Sequence, residues 1–206
     1  MMNLSFLQTV VIGVSRVLSV ILAITFHEFA HGYVSYIMGD NTAKSDGRLS
    51  LNPFKHIDIV GALCLLLFGF GWAKPVQVNP KYYKQPKLGM AVTSLAGPMA
   101  NFLLAFMGAA LLKVLGNIGF GYLILTSLTV FISINIGLGV FNLIPIPPLD
   151  GFKILGAILS DEAYFSILQF ESYGFIILVA CLSFGILNPI LTMGSNLVWS
   201  LFNIIL

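Results

Sequence analysis

The sequence predicts an all-α polytopic membrane protein: about five transmembrane helices, a re-entrant or interfacial segment and a small membrane-associated β-sheet. Three observations carry that expectation. Of the 206 residues, 58% are hydrophobic and only 9% are charged, where a soluble domain carries about 25% charged residues. The mean hydropathy is +0.96. Apolar stretches long enough for a span of about 20 residues recur between short polar ones. No large soluble domain fits in what remains, so 1–206 reads as a single membrane-embedded domain, with a core of about 24–155 and accessory helices at about 173–206. The net charge of +2 is too small to indicate nucleic acid as a partner; the lipid bilayer is the partner implied. Cys64 and Cys181 lie in apolar runs and form neither a disulfide framework nor a Cys-type metal site.

Leu4 to Met38 is the first apolar stretch, long enough for one tilted span. No Lys or Arg precedes Arg16 and no small-residue cleavage site follows nearby, so it reads as a retained helix and not a signal peptide. Gly39-Asp40-Asn41 ends it. Residues 39–56 are polar, and Gly47 to Pro53 alternates apolar and polar residues as a short strand would. Ile59 to Phe70 is apolar but short for a span. Val76 to Val78 alternates again and could pair with 47–53. The loop continues through Lys81, Lys84 and Lys87 without acids, which places it in the cytoplasm by the positive-inside rule.

Met90 to Leu115 is a clear span. Ser94, Gly97, Asn101, Ala105 and Gly108 fall three and four apart and make one small or polar face, suited to close helix packing. Gly119 to Ile144 is another span, with Asn135, Gly139 and Asn142 as a similar stripe. Three prolines in Pro145-Ile146-Pro147-Pro148 cannot continue a regular helix, and they deliver Asp150 on irregular backbone. Such backbone at membrane depth has to be buried in protein or line a wet cavity. Tyr173 to Leu187 and Ile190 to Leu206, separated by Asn188-Pro189, are two spans or a broken pair.

The chemistry concentrates in the first span, at His27-Glu28-Phe29-Ala30-His31. On a helix, residues four apart share a face, so His27 and His31 can offer two imidazole nitrogens to one metal ion. Glu28 can reach a metal-bound water without being a ligand. Zinc hydrolysis needs two nitrogen donors, a third protein ligand, an open water position and a base beside it. Packing alone gives no reason to bury two His and a Glu in an apolar helix, where ionisable groups are costly and usually functional. The best candidate for the third ligand is Asp150, ahead of His56 as the competitor; a plain surface turn is the other reading of the Pro-Asp-Gly run. Asn101 could line the site or serve packing only. His27, His31 and Asp150 must meet at one depth. That requires 59–70 to be re-entrant or interfacial, and it puts the site toward the cytoplasm.

Taken together, His27-Glu28-x-x-His31, Ala96-Gly97-Pro98-x-x-Asn101 and Asn142-x-x-Pro145-x-Pro147-Pro148-Leu149-Asp150-Gly151 resemble the site-2 protease family of intramembrane zinc metalloproteases. Gly47 to Asp58 and Gly71 to Pro80 are similar to its short prokaryotic members, and the likeness covers about 24–155. The resemblance implies one Zn²⁺ held by His27, His31 and Asp150, with Glu28 as catalytic base. It implies that Asn101 and Asn142 help to hold substrate or the transition state. It also implies a membrane-protein substrate, a sheet edge that holds it, and a multi-pass location in a prokaryotic inner membrane. The PDZ and CBS domains of better-known members are absent from this sequence. A metal-binding membrane protein without peptidase activity, a transporter or an inactive scaffold, is the alternative; it has no need of Glu28, and transporters often show paired repeats that this sequence lacks. A purely structural membrane subunit is a third class, and absence of bound metal would favour it. Substrate identity and oligomeric state are not legible.

Overall fold

A computed structural model describes residues 4–58, 61, 73–160, 162–163 and 171–206. The helices are α1 (Leu4–Ile37), the single turn α2 (Thr42–Ser45), α3 (Pro86–Asn117), α4 (Tyr122–Asn142), α5 (Asp150–Ile158), α6 (Glu171–Ser183) and α7 (Asn188–Ile205). Three of them, α1, α3 and α4, are long and apolar enough to cross a membrane. The pair α6 and α7 is bent by 82° at its break and adds a fourth if it counts as one span. Five crossings were expected; the C-terminal pair is broken because Gly185 takes a left-handed φ of +68° and Pro189 restarts the chain as a new helix. The expected re-entrant segment 59–70 lies, apart from Gly61, outside the described residues.

Helix α1 runs without proline to Ile37. Gly39, at φ +104°, then lets the Asp40 N–H close back on the Ser35 carbonyl at 3.0 Å, a left-handed glycine cap. Helix α3 starts with Pro86 in its first turn, where a missing N–H costs nothing. The small residues of α3 do what their spacing suggests: Ser94, Gly97, Asn101, Ala105 and Gly108 are all buried. A Cβ at Gly108 would come to 3.0 Å from Ile132 of α4. The core between these helices is Ala105, Ala109, Ile132, Ile136 and Val140, closed from the far side by Phe202 of α7.

The register can be read from side-chain contacts. Ser15 of α1 bonds Ser127 of α4 at 2.8 Å, and Asn101 of α3 bonds both the Ala23 carbonyl of α1 and Asn135 of α4. His31, farther along α1, meets Thr93, earlier on α3. Thus α1 and α4 run parallel and α3 runs against both. The ends of α1 and α4 point the same way, as the site requires.

The small sheet expected from 47–53 and 76–78 does not form: among the described residues there is one antiparallel bridge, Ile57 to Ala73, and no strand. Several of the backbone and neighbouring groups are engaged elsewhere. Asn52 caps a 3₁₀ turn at Pro53–Lys55 and Asn79 another at Pro80–Tyr82. The Arg48 guanidinium donates to the carbonyls of Lys55, Lys74 and Pro75, and the Val76 N–H donates to Glu28. Pro75 has no N–H to offer a ladder.

Candidate metal centre

Helix α1 sets His27 and His31 one turn apart, and α3 fixes their rings. The His31 Nδ1 lies 2.7 Å from the Thr93 carbonyl oxygen, which can only accept, so Nδ1 carries the proton. The His27 Nδ1 lies 2.7 Å from the Asn101 Oδ1. Asn101 must point its oxygen there because its Nδ2 donates to the Ala23 carbonyl at 3.0 Å and to Asn135 Oδ1 at 3.2 Å. In the neutral form both rings therefore present an unprotonated Nε2.

Those two nitrogens face each other at 3.0 Å, and Asp150 Oδ2 stands 3.1 Å from each. Asp150 is the first residue of α5, where a carboxylate suits the positive end of the helix. It is delivered by the irregular run 143–149, as the prolines suggested. Gly151 makes that delivery possible: a Cβ there would come within 2.2 Å of the Leu143 carbonyl oxygen. Gly97 does the same for the rings, since a Cβ on it would lie 2.5 Å from His31 Nε2 and 2.6 Å from His27 Cε1.

With neutral rings, three buried lone-pair atoms thus converge, and Asp150 Oδ2 has no hydrogen-bond donor. Such a triangle repels itself unless a cation occupies it. Its edges suit zinc, because tetrahedral bonds of about 2.0–2.1 Å set neighbouring donors roughly 3.3 Å apart. These three residues are the metal-competent cluster among the described residues. His56 stays outside it, fully buried with Nε2 on the Ser50 carbonyl at 2.6 Å.

The triangle forms one wall of a cavity of about 140 Å³ that is also lined by Glu28, Val76, Val78, Asn142 and Lys153. That volume holds several waters. Glu28 Oε2 accepts the Val76 N–H at 2.8 Å. Asn142 lines the cavity with one amide hydrogen on the Leu138 carbonyl. Asn101 does not line it: the side chain is fully buried behind His27.

The chain is 40% identical over 199 residues to "Putative zinc metalloprotease YwhC" of Bacillus subtilis, covering 92% of this chain and 91% of that one. It belongs to the site-2 protease family, peptidase family M50. The family model itself matches residues 120–184, which include Asp150. "Putative zinc metalloprotease Rip2" of Mycolicibacterium smegmatis is 28% identical over 183 residues, 82% of this chain and 66% of that protein. No solved structure matches the chain. As a member of that family the chain is a membrane metalloprotease whose cofactor is zinc and whose substrate is protein.

Some of the site residues escaped sequence reading. The Thr93 carbonyl is a backbone atom that no residue type announces. Gly97 was legible as part of a packing face and of the Ala96-Gly97-Pro98-x-x-Asn101 motif, but not for its contact with the rings, and Asn135 only as part of a packing stripe. Lys153, three residues past Asp150 and so on the same helical face, was the one signal that spacing could have raised.

Proposed function

We propose that this site-2 protease cleaves membrane-protein substrates within or beside the bilayer, with His27, His31 and Asp150 as zinc ligands and Glu28 as general base. The observation that carries the reading is the 3.0–3.1 Å triangle of His27 Nε2, His31 Nε2 and Asp150 Oδ2 sharing a cavity with Glu28. When bound, zinc supplies Lewis-acid polarisation of the scissile carbonyl and acidifies water in the open position.

The residues supply the rest. Glu28 has one oxygen held by the Val76 N–H, which orients the other toward the cavity. That free oxygen takes the proton from the attacking water. The water oxygen bonds to the carbonyl carbon, the C–N bond breaks, and Glu28 passes the proton to the leaving nitrogen. Asn101 holds the His27 ring through Nδ1, and Asn142 has a free amide hydrogen for substrate backbone. A transmembrane helix hides its carbonyls, so the substrate unwinds and lies extended. Residues 76–78 can receive it: the backbone groups of Gln77 and Val78 have no partner among the described residues, and strand addition needs such an open backbone.

His27 lies ten residues before Ile37, about 15 Å along α1, so the centre sits well below the membrane surface. The basic residues Lys74, Lys81, Lys84 and Lys87 support a site toward the cytoplasmic side of a prokaryotic inner membrane.

The test is zinc content and cleavage of a model transmembrane peptide, on wild type and Glu28→Gln in detergent. One zinc in both, with cleavage in wild type only, is the expected result. Cleavage by Glu28→Gln removes Glu28 from the mechanism, and absence of metal from both removes the centre.

A further inference from the structure

We infer that Lys153 binds the negative charge that develops on the scissile carbonyl oxygen, as a catalytic residue of the peptidase proposed above. Hydrolysis places one new charge on the substrate, first on that oxygen and then on the product carboxylate. The charge passes to that oxygen from Glu28, which is neutralised as it takes the water proton, while the Asp150 carboxylate stays in the same cavity; a cationic donor beside the metal would stabilise the charge in its new place.

Accounting for the donors leaves few. The Val76 N–H is held by Glu28. The ring N–H groups of His27 and His31 are held by Asn101 and Thr93. The Asn101 amide is fully engaged. Asn142 has one hydrogen on the Leu138 carbonyl. What remains is the Val78 N–H, which the extended substrate backbone would take, the second Asn142 hydrogen, the Ser94 hydroxyl and the Lys153 ammonium. Lys153 alone among them is charged, and it is the one Lys or Arg among the described cavity-lining residues.

Its placement fits the task. Lys153 is half-buried and has no hydrogen bond or ion pair among the described residues. A partly desolvated ammonium without a partner is costly for stability alone and is worth far more against charge in a water-poor site than in bulk water. It sits one turn beyond Asp150 on α5, whose start is clamped by the Gly151 contact with the 143–144 backbone. The cation and the metal ligand are therefore carried by one rigid element. Lys153 keeps its proton throughout: Glu28 carries the transferred proton, and Lys153 donates a hydrogen bond while the C–O bond forms and the C–N bond breaks.

The experiment uses the full chain in detergent as wild type, Lys153→Met and Lys153→Arg. Zinc content, kcat and KM on the model transmembrane peptide are measured, together with acetate binding to the cobalt-exchanged protein by visible absorption. The expected outcome for Lys153→Met is one metal ion, KM within about twofold, kcat lower by about 100-fold and acetate binding weaker by about tenfold. Lys153→Arg should restore most of both. Wild-type kcat in Lys153→Met overturns the inference. So does a change in KM alone, as loss of a lipid-headgroup or docking contact would give, and so does metal loss in both variants, which marks a structural role. A wild type that binds zinc but cleaves nothing counts against the peptidase reading itself. The acetate titration then decides separately whether Lys153 holds an anion beside the metal, and equal affinity in wild type and Lys153→Met overturns that.

Discussion

In the site proposed above, the two walls of the cavity, one for the metal and one for the substrate, are built in opposite ways. The metal wall is carried by helices: His27 and His31 on α1, their supports on α3, and Asp150 at the start of α5. The facing wall, 73–79, is irregular chain held by three side chains from elsewhere, Arg48, Asp40 and Glu28. The ligands cannot shift without moving packed helices. The loop can shift by giving up a few hydrogen bonds. Metal binding and substrate handling should therefore separate under mutation.

The largest effect should come from filling the space on the metal wall. Gly97→Leu drives carbon into the place of the His31 Nε2, and neither backbone can retreat. Zinc should fall from one per chain toward none and cleavage should vanish with it, as metal analysis and the peptide assay would read. A zinc-replete Gly97→Leu protein would mean that the helix contact is looser than the structure gives it.

Next is the asymmetry between the two ligand supports. The His31 support is the Thr93 carbonyl, which no substitution removes. The His27 support is a side chain, so Asn101→Leu leaves the Nδ1 proton without an acceptor and frees the ring to turn. Zinc affinity should drop by about 10–100-fold, measured by competition with a chelator. If Asn101 contacted substrate instead, affinity would hold and only kinetics would change.

On the loop wall, Arg48→Met removes the donors that gather the carbonyls of Lys55, Lys74 and Pro75. Zinc affinity should stay within about twofold, while kcat/KM falls by roughly tenfold because Val76 no longer meets Glu28 in register. Zinc loss here would show that the two walls are not independent.

The difference between the walls also explains what could be read in advance. The metal wall follows helical periodicity: His27 and His31 at four residues, the small stripe on α3 at three and four, and the proline run that ends α4 before Asp150. Each is a local pattern with one geometric meaning. The loop wall obeys no period. Alternation at 47–53 and 76–78 suggested strands, but Asn-Pro caps and the demands of Arg48 and Glu28 decide that backbone, and these are contacts between residues 26 to 48 apart. The break between α6 and α7 was legible at Asn188-Pro189, but whether the two pieces cross separately depends on an 82° bend that composition does not encode.

The smallest effect is expected at Asp40, where the loop wall is tied to the end of α1. Its carboxylate accepts from Ser35 at 2.8 Å, from the Asn79 N–H at 2.7 Å, and from the N–H and hydroxyl of Thr42. Burial alone would raise its pKa, but these donors outweigh it and hold the carboxyl below its ordinary 3.8. A depressed folded value contributes stability above the ordinary pKa and loses it as the pH falls through the lower folded value. Asp40→Asn removes that term, so it should cost roughly 1–3 kcal/mol at neutral pH, with the gap to wild type closing only in acid below 3.8. Amide exchange at 76–79, followed down the pH scale in metal-free samples of both proteins, would show the gap and its closure. A gap that persists unchanged at the lowest pH would mean that Asp40 holds the loop through packing and not through its charge.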